Sequence, residues 1–238
     1  MKLSIIIPVF NEEKTILEIL RRVDDVKIPT IDKEIIVVND GSTDATASVI
    51  SNFKFPTSNF KHIAHKINQG KGSAVRTGIK RATGDYILIQ DADLEYNPTD
   101  ILLLLSPIMQ KKATVVYGTR LKRLPNFRKD ERTPLFLLHY IGNKFLSLLT
   151  SILYGQWITD METCYKLCPR KAFVDIHLNA KGFEFEPEIT AKLLKSGYKI
   201  YEVPISTTPR GYDEGKKLNT FRDGFIAFWT LLKYRFKN

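Results

Sequence analysis

YILIQDADLE, residues Tyr86 to Glu95, joins a short apolar run directly to two carboxylates one residue apart. Ile87, Leu88 and Ile89 suit a parallel strand covered on both faces. Asp91 and Asp93 follow its carboxyl end, the edge of an open α/β sheet outside which ligands bind. Alternate residues of an extended segment point the same way, so both carboxylates, with Glu95 continuing the alternation, can face one cation. A hard divalent cation, Mg2+ or Mn2+, takes oxygen ligands and commonly bridges a protein carboxylate to substrate phosphates. Taken alone, Asp-x-Asp is better explained as a solvated acidic turn before a helix. The rest of the chain reverses that balance.

Upstream, Leu3 to Val9 (LSIIIPV) reads as a strand, and Asn11 to Val23 as a helix with Ile16, Leu17, Leu20 and Val23 at helical spacing. Glu34 to Val38 is a second buried strand, NDGSTD a turn and Thr43 to Phe53 a helix. Phe60 to Ala64 is a weaker strand, and the helix Lys71 to Ala82 leads back to the Asp-x-Asp strand. Downstream, Pro98 stands after Asn97 as a first-turn proline and opens a helix through Leu105 that Pro107 kinks or ends. Thr114 to Gly118 is the fifth strand. This alternation predicts a doubly wound, mostly parallel α/β sheet flanked by helices.

The second half differs. LKRLPNFRKDERT, after Arg120, is too polar for a core and reads as a basic lid. Leu135 to Leu153 reads as a helix with His139, Asn143, Ser147 and Thr150 on one narrow polar stripe; its other faces want cover, and the stripe argues against a membrane span. Thr163 to Leu167 is a strand, Pro187 to Lys195 a helix and Lys199 to Ile205 the last strand. PRGYDEGKKLNT forms a second loop. Phe221, Phe225, Phe228, Trp229, Leu232 and Phe236 mark one face of a terminal amphipathic helix.

Composition narrows the partners. The 238 residues have the apolar and charged fractions of a globular protein, and a formal charge of +10 points to nucleic acid, phosphorylated substrates or an acidic membrane surface. With only Cys164 and Cys168 there is no disulfide framework and no four-ligand zinc pattern, so a reducing compartment is expected. No leader pattern is read before the first strand, and a cytosolic location is expected. Gly70-Lys71-Gly72-Ser73 lacks the upstream glycine of a P-loop, and Val75 stands where a dinucleotide fingerprint needs its third glycine. These glycines serve either close approach to a ligand or a helix-entry turn.

Pro8-Val9-Phe10-Asn11-Glu12, Asn39-Asp40-Gly41-Ser42 and Gln90-Asp91-Ala92-Asp93 each follow a strand, and so fall on one edge of the sheet. Three later segments join them: Thr159 to Lys166 (TDMETCYK), Gly182 to Ile189 (GFEFEPEI) and Arg210 to Lys217 (RGYDEGKK). Together these motifs resemble the family 2 inverting glycosyltransferases with the GT-A fold, nearest the polyprenyl-phosphate sugar synthases, through nearly the whole chain. The resemblance implies one domain over 1–238, with a Rossmann-like nucleotide-sugar half over 1–120 and an acceptor-binding, membrane-facing half of helices and loops over 121–238.

The same resemblance implies roles. Pro8, Phe10, Glu12 and Asp40 would hold the nucleotide, with Asp40 accepting from the base. Asp91 and Asp93, with Glu95 where relatives often have glutamine, would hold Mg2+ or Mn2+ on the diphosphate. Relatives have a carboxylate where Asn39 stands. Arg120 and Arg210 would meet phosphate oxygens, and the loop Lys122 to Arg132 would position the acceptor phosphate. The implied reaction moves a hexosyl unit from a UDP- or GDP-sugar to a polyprenyl phosphate at the cytosolic face of an anionic membrane, with Asp160 orienting a basic group or the acceptor. The alternative acceptor is a sugar hydroxyl, with Asp160 as base. A non-catalytic nucleic-acid-binding protein is the other class; no nucleic-acid motif supports it, and nucleic acid is not expected as a partner. The terminal apolar faces serve the membrane, the core or a homo-oligomer interface.

Overall fold

The computed structural model describes residues 1–53, 59–120, 134–208 and 219–237. Among them runs a seven-stranded sheet in the order β3-β2-β1-β4-β6-β5-β7, formed by β1 (Lys2–Val9), β2 (Asp32–Asn39), β3 (Phe60–Ala64), β4 (Tyr86–Ile89), β5 (Val115–Thr119), β6 (Lys166–Pro169) and β7 (Ile200–Pro204). β1 pairs in parallel with β2 and β4, β2 with β3, and β5 with β7. β6 is antiparallel to both β4 and β5. A strand from the second half is thereby inserted between two from the first, so both halves share one sheet. Leu3, Ile5, Ile6, Ile7, Ile87, Leu88 and Ile89 are fully buried, as central strands covered on both faces require.

The helices are α1 (Ile16–Asp25), α2 (Thr46–Asn52), α3 (Lys71–Arg81), α4 (Ile101–Met109), α5 (Pro134–Tyr154), α6 (Arg170–Asp175), α7 (Phe185–Lys195) and α8 (Thr220–Phe236). α1 starts five residues later than the periodicity suggests. Asn11 sits at φ 49°, its backbone N–H donates to Ser42 Oγ, and its side-chain oxygen accepts from Thr43 N. Those bonds hold residues 11–15 against the β2–α2 turn instead of in a helix. The turn claims the start of α2 likewise, since Ala45 N donates to Glu13 Oε2 and Thr46 N to Asp44 Oδ1. Asn97 caps the turn at Pro98 by accepting from Thr99 N, as expected. Pro107 does not end α4, which runs two residues further. Without an N–H, Pro107 cannot donate to the carbonyl of Leu103, and the helix end is closed instead by Gln110 N and Lys112 N, which donate to Ser106 O and Pro107 O.

α5 corrects the reading of its faces. Asn143, Ser147, Thr150 and Ser151 are buried, whereas Leu138, Ile141, Phe145, Leu148 and Ile152 are exposed. The polar stripe faces the body because its hydroxyls are satisfied within the helix: Ser147 Oγ donates to Asn143 O, Thr150 Oγ1 to Leu146 O and Ser151 Oγ to Ser147 O. Ser147 Oγ also accepts from Met161 N, so the stripe carries the loop leading to β6. Phe136–Tyr154 is long and apolar enough to cross a membrane, contrary to the sequence reading. Its polar side is docked on the body. α8 buries Ala227, Leu231 and Tyr234 and exposes Phe221, Phe225, Trp229 and Phe236. Phe228 stacks on Phe145, joining the two outward faces.

Candidate active site

The carboxyl ends of β1, β2 and β4 open onto a cavity of about 370 Å³. Pro8, Phe10, Glu12, Asp40, Asp91, Asp93, Glu95 and Arg120 all line it. Asp160 does not line it, and Arg210 and the basic loop 122–132 lie outside the described residues. The juxtaposition follows from register: Val9 pairs with Asn39 at the ends of β1 and β2, and Ile6 with Ile89 next door, so the segments that follow emerge together.

At the nucleotide end, Asp40 is a fastener as well as a lining group. Its Oδ1 accepts from Gln69 N at 3.0 Å and lies 2.6 Å from His65 Nδ1, and its Oδ2 accepts from Gly70 N at 2.7 Å. Asn39 shapes the turn, its amide oxygen accepting from Ser42 N. Gly70 has φ 94°, and a Cβ there would lie 2.4 Å from Lys181 O. The close approach that glycine permits is therefore to the chain's own 180–182 segment, which also receives Ser73 N at Lys181 O.

That turn delivers Lys71, which the sequence reading did not single out. Opening α3, its Nζ lies 2.8 Å from Asp91 Oδ1, 3.3 Å from Glu186 Oε1 and 3.5 Å from Cys164 Sγ. Burial opposes charge on both partners, yet the pair prevails: the Asp91 carboxyl is held below its ordinary range and the Lys71 ammonium well above its own. Asp93 has no such cation. Burial, then the charges of Asp91 and Glu95, push its carboxyl up to about 7. Glu186 pairs in turn with the fully buried Lys166.

Arg120 and Asp160 form a closed pair. Arg120 Nε donates to Asp160 Oδ2 and Nη2 to Oδ1, each at 2.8 Å, and Arg120 N adds a third bond at 2.9 Å. The guanidinium also lies 5.8 Å from the Tyr96 ring centroid. Despite complete burial, which opposes ionisation, Arg120 keeps the Asp160 carboxyl below its ordinary range. Glu202 of β7 accepts from Thr159 N and Asp160 N and so anchors the backbone that carries Asp160. With both oxygens engaged, Asp160 has the geometry of a residue that aims Arg120, not of a free base.

Among the described residues, no three His, Cys, Asp or Glu side chains form a closed metal cage. The donor set nonetheless fits Mg2+ or Mn2+. Asp91, Asp93 and Glu95 offer only oxygen, Asp93 is strained by uncompensated negative charge, and such ions are held by one or two carboxylates plus substrate phosphates. A sheet edge bearing carboxylates, two half-buried cations and room for a ligand is the arrangement of an α/β enzyme acting on a phosphate-bearing substrate.

The sequence model of glycosyl transferase family 2 matches residues 4–176, and the chain belongs to that family. It is a glycosyltransferase. It is 30% identical over 245 residues to the UDP-N-acetylglucosamine–dolichyl-phosphate N-acetylglucosaminyltransferase of Methanococcus voltae, covering 96% of this chain and 94% of that one. It is 29% identical over 215 residues to a dolichyl-phosphate beta-glucosyltransferase of Trichomonas vaginalis, covering 85% of this chain and 64% of that one. Glucosyl-3-phosphoglycerate synthase of Mycobacterium tuberculosis, solved with Mn2+, uridine diphosphate and phosphoglyceric acid, shares the fold at TM-score 0.70 and 19% identity, covering 98% of this chain and 78% of that one. The mostly parallel sheet is thus of the GT-A type, and the non-catalytic nucleic-acid-binding class is set aside.

Proposed function

We propose that this glycosyltransferase moves a hexosyl unit from a UDP- or GDP-linked sugar to a polyprenyl phosphate, with inversion at the anomeric carbon, on the cytosolic face of a membrane. The observation that carries this reading is the opposition, in one cavity, of the carboxylates Asp91, Asp93 and Glu95 to the cations Lys71 and Arg120. The Methanococcus and Trichomonas relatives, both named for dolichyl phosphate, support the acceptor class.

Asp91 and Asp93 would hold Mg2+ or Mn2+, with Glu95 beside them; when bound, the ion stabilises charge on the departing nucleoside diphosphate. Pro8, Phe10, Glu12 and Asp40 line the nucleotide end. Arg120, aimed by Asp160, meets phosphate oxygens, and Arg210 and the loop 122–132 take the acceptor phosphate. A phosphate monoester is already anionic near neutrality, so it attacks without a strong base. That suits a site whose Asp160 is capped by Arg120, and it disfavours the hydroxyl-acceptor reading.

A polyprenyl acceptor is anchored in a bilayer, so the enzyme meets it there. The outward faces of α5 and α8 are joined through Phe145 and Phe228, and Arg222, Lys233, Arg235 and Lys237 lie exposed on and just beyond α8. Aromatic side chains entering the interface, with basic residues worth about 1 kcal/mol each near an acidic leaflet, give salt-sensitive peripheral attachment.

The test is incubation with a panel of UDP- and GDP-sugars and short polyprenyl phosphates, with and without excess chelator, reading products by mass. A glycosyl phosphoprenol that disappears with chelator is expected. Full activity in chelator overturns the metal assignment, and products formed only on sugar hydroxyls overturn the acceptor. Co-sedimentation with anionic vesicles that fades with salt checks the location; no binding at low salt leaves the two faces to self-association.

A further inference from the structure

A second, small cavity of about 40 Å³ lies between α5 and α8, where Gly142, Leu146, Gly224 and Ala227 contribute walls. It shares His139, Glu162 and Phe183 with the main cavity. Those three side chains are the partition between the diphosphate-binding side and the groove leading out to the apolar helices. Glu162 thus also lines the main cavity, beside the edge that carries Asp91 and Asp93.

Glu162 is the partition's unusual member. Its Oε1 is buried and has no hydrogen-bond partner. Asp160 is paired with Arg120, and Glu188 with Lys192 and Tyr234; Glu186 Oε1 also lacks a hydrogen bond, but it lies 3.3 Å from the Lys71 ammonium and its other oxygen pairs with Lys166, whereas no cation is paired with Glu162 among the described residues. A buried acceptor left unmade costs free energy unless a ligand supplies the donor. A fully ionised diphosphate or acceptor phosphate offers no donor, and its charge is repelled by the carboxylate. Of the substrate parts that reach this wall, only a sugar carries neutral O–H donors.

We propose that Glu162 is the specificity-determining residue that accepts hydrogen bonds from the hydroxyl groups of the transferred sugar. The inference rests on a nucleotide-sugar donor but not on the identity of the acceptor. Burial, then the charge of Glu186, push the Glu162 carboxyl up to about 7, with Lys166 and Arg120 opposing and Asp160 adding to the rise. Without sugar the charged form burdens the fold, so its removal leaves the protein no less stable.

The experiment compares wild type, Glu162→Gln and Glu162→Ala by calorimetric titration with UDP-glucose, UDP-N-acetylglucosamine and GDP-mannose, and with UDP and GDP as sugar-free controls, all in Mn2+. For whichever sugar nucleotide wild type binds best, Glu162→Ala is expected to weaken binding by roughly tenfold or more. The sugar-free nucleotide changes less than about twofold, and the Tm does not fall. The proposal is overturned if the sugar nucleotide binds each variant as it binds wild type, or if wild type gains nothing from the sugar. A parallel loss for both ligands with a lower Tm also overturns it, since Glu162 is then structural. A wild type that binds a sugar nucleotide yet glycosylates no polyprenyl phosphate fails the acceptor reading alone and leaves this comparison intact.

Discussion

The two ends of the central sheet treat buried carboxylates in opposite ways. At the amino end Glu34, 1% exposed, accepts from Ser4 Oγ at 2.5 Å, Thr83 N at 2.6 Å and Gly84 N at 3.2 Å, and pairs with Lys61 and Lys2. These bonds outweigh burial and depress its carboxyl to about 2. At the carboxyl end Asp93 and Glu162 sit among like charges with carboxyls pushed up to about 7. Glu34 ties β1, β2, β3 and the entry to β4 together and has nothing left to offer a ligand. The other end keeps acceptors in reserve, which weakens the fold and suits a site that must take up cations and donors. Unequal satisfaction of a buried carboxylate and two half-buried ones thus separates a staple from a binding edge.

The largest expected effect is on catalysis. Asp93→Asn should lower transfer by about 10²–10³-fold, comparable to removing one preorganised stabilising group elsewhere. Its Tm should hold or rise, because repulsion with Asp91 and Glu95 is relieved. Turnover and thermal denaturation of one preparation check both halves; a lower Tm with preserved turnover would invert the contrast. Glu34→Ala is the mirror experiment. It leaves Thr83 N without its acceptor and removes the shared partner of Ser4, Lys2 and Lys61, and should cost about 3 kcal/mol. For a chain of this size that is a Tm lower by roughly 6–12 °C, with kcat near wild type well below the transition.

The Arg120–Asp160 pair qualifies the contrast, being a fully bonded carboxylate at the binding end. If it serves to aim Arg120, Arg120→Lys, which cannot reproduce the two-pronged bond, should slow turnover by about tenfold. Asp160→Asn should slow it to a similar degree. The double variant should then be scarcely worse than either single one. Kinetics of the three variants decide this, and additive losses would give Asp160 a role apart from Arg120.

Much of this asymmetry was legible beforehand, for reasons that also mark where legibility stops. Apolar runs ending in Pro8, Asn39 and Gln90 announce strands, and strand carboxyl ends announce the edge on which Phe10, Glu12, Asp40, Asp91 and Asp93 meet. Lys71 escaped notice because its partner Asp91 is twenty residues away; the cue was a lysine in the first turn of a helix leading back to the Asp-x-Asp strand. Glu162 and Glu186 stood in plain view within motifs. Yet no periodicity says that Glu186 and Glu188 turn inward while Glu184 stays near the surface, accepting from Lys181 N and Gly182 N. Which side of α5 would be covered was not legible, because hydroxyls that bond their own helix let a polar stripe be buried.

The smallest expected effect gives the comparison its sharpest form, because one substitution, Glu to Gln, should act with opposite pH profiles at the two ends. The Glu34 carboxyl is depressed from 4.5 to about 2, so its stabilisation is full above 4.5 and is lost as pH falls toward 2. The penalty of Glu34→Gln should therefore shrink across that window. The Glu162 carboxyl is raised from 4.5 to about 7, so folding is relatively favoured below 4.5 and loses ground as pH climbs to 7. Any benefit of Glu162→Gln should grow across that second window and level off above it. Solvent screening keeps each window below roughly 3 kcal/mol. Urea denaturation of the two variants and wild type from pH 3 to 8, in chelator, reads both slopes. If the two difference curves ran parallel, the ends of the sheet would not differ in kind, and the unpartnered oxygen of Glu162 would lose its claim to be a reserve for substrate.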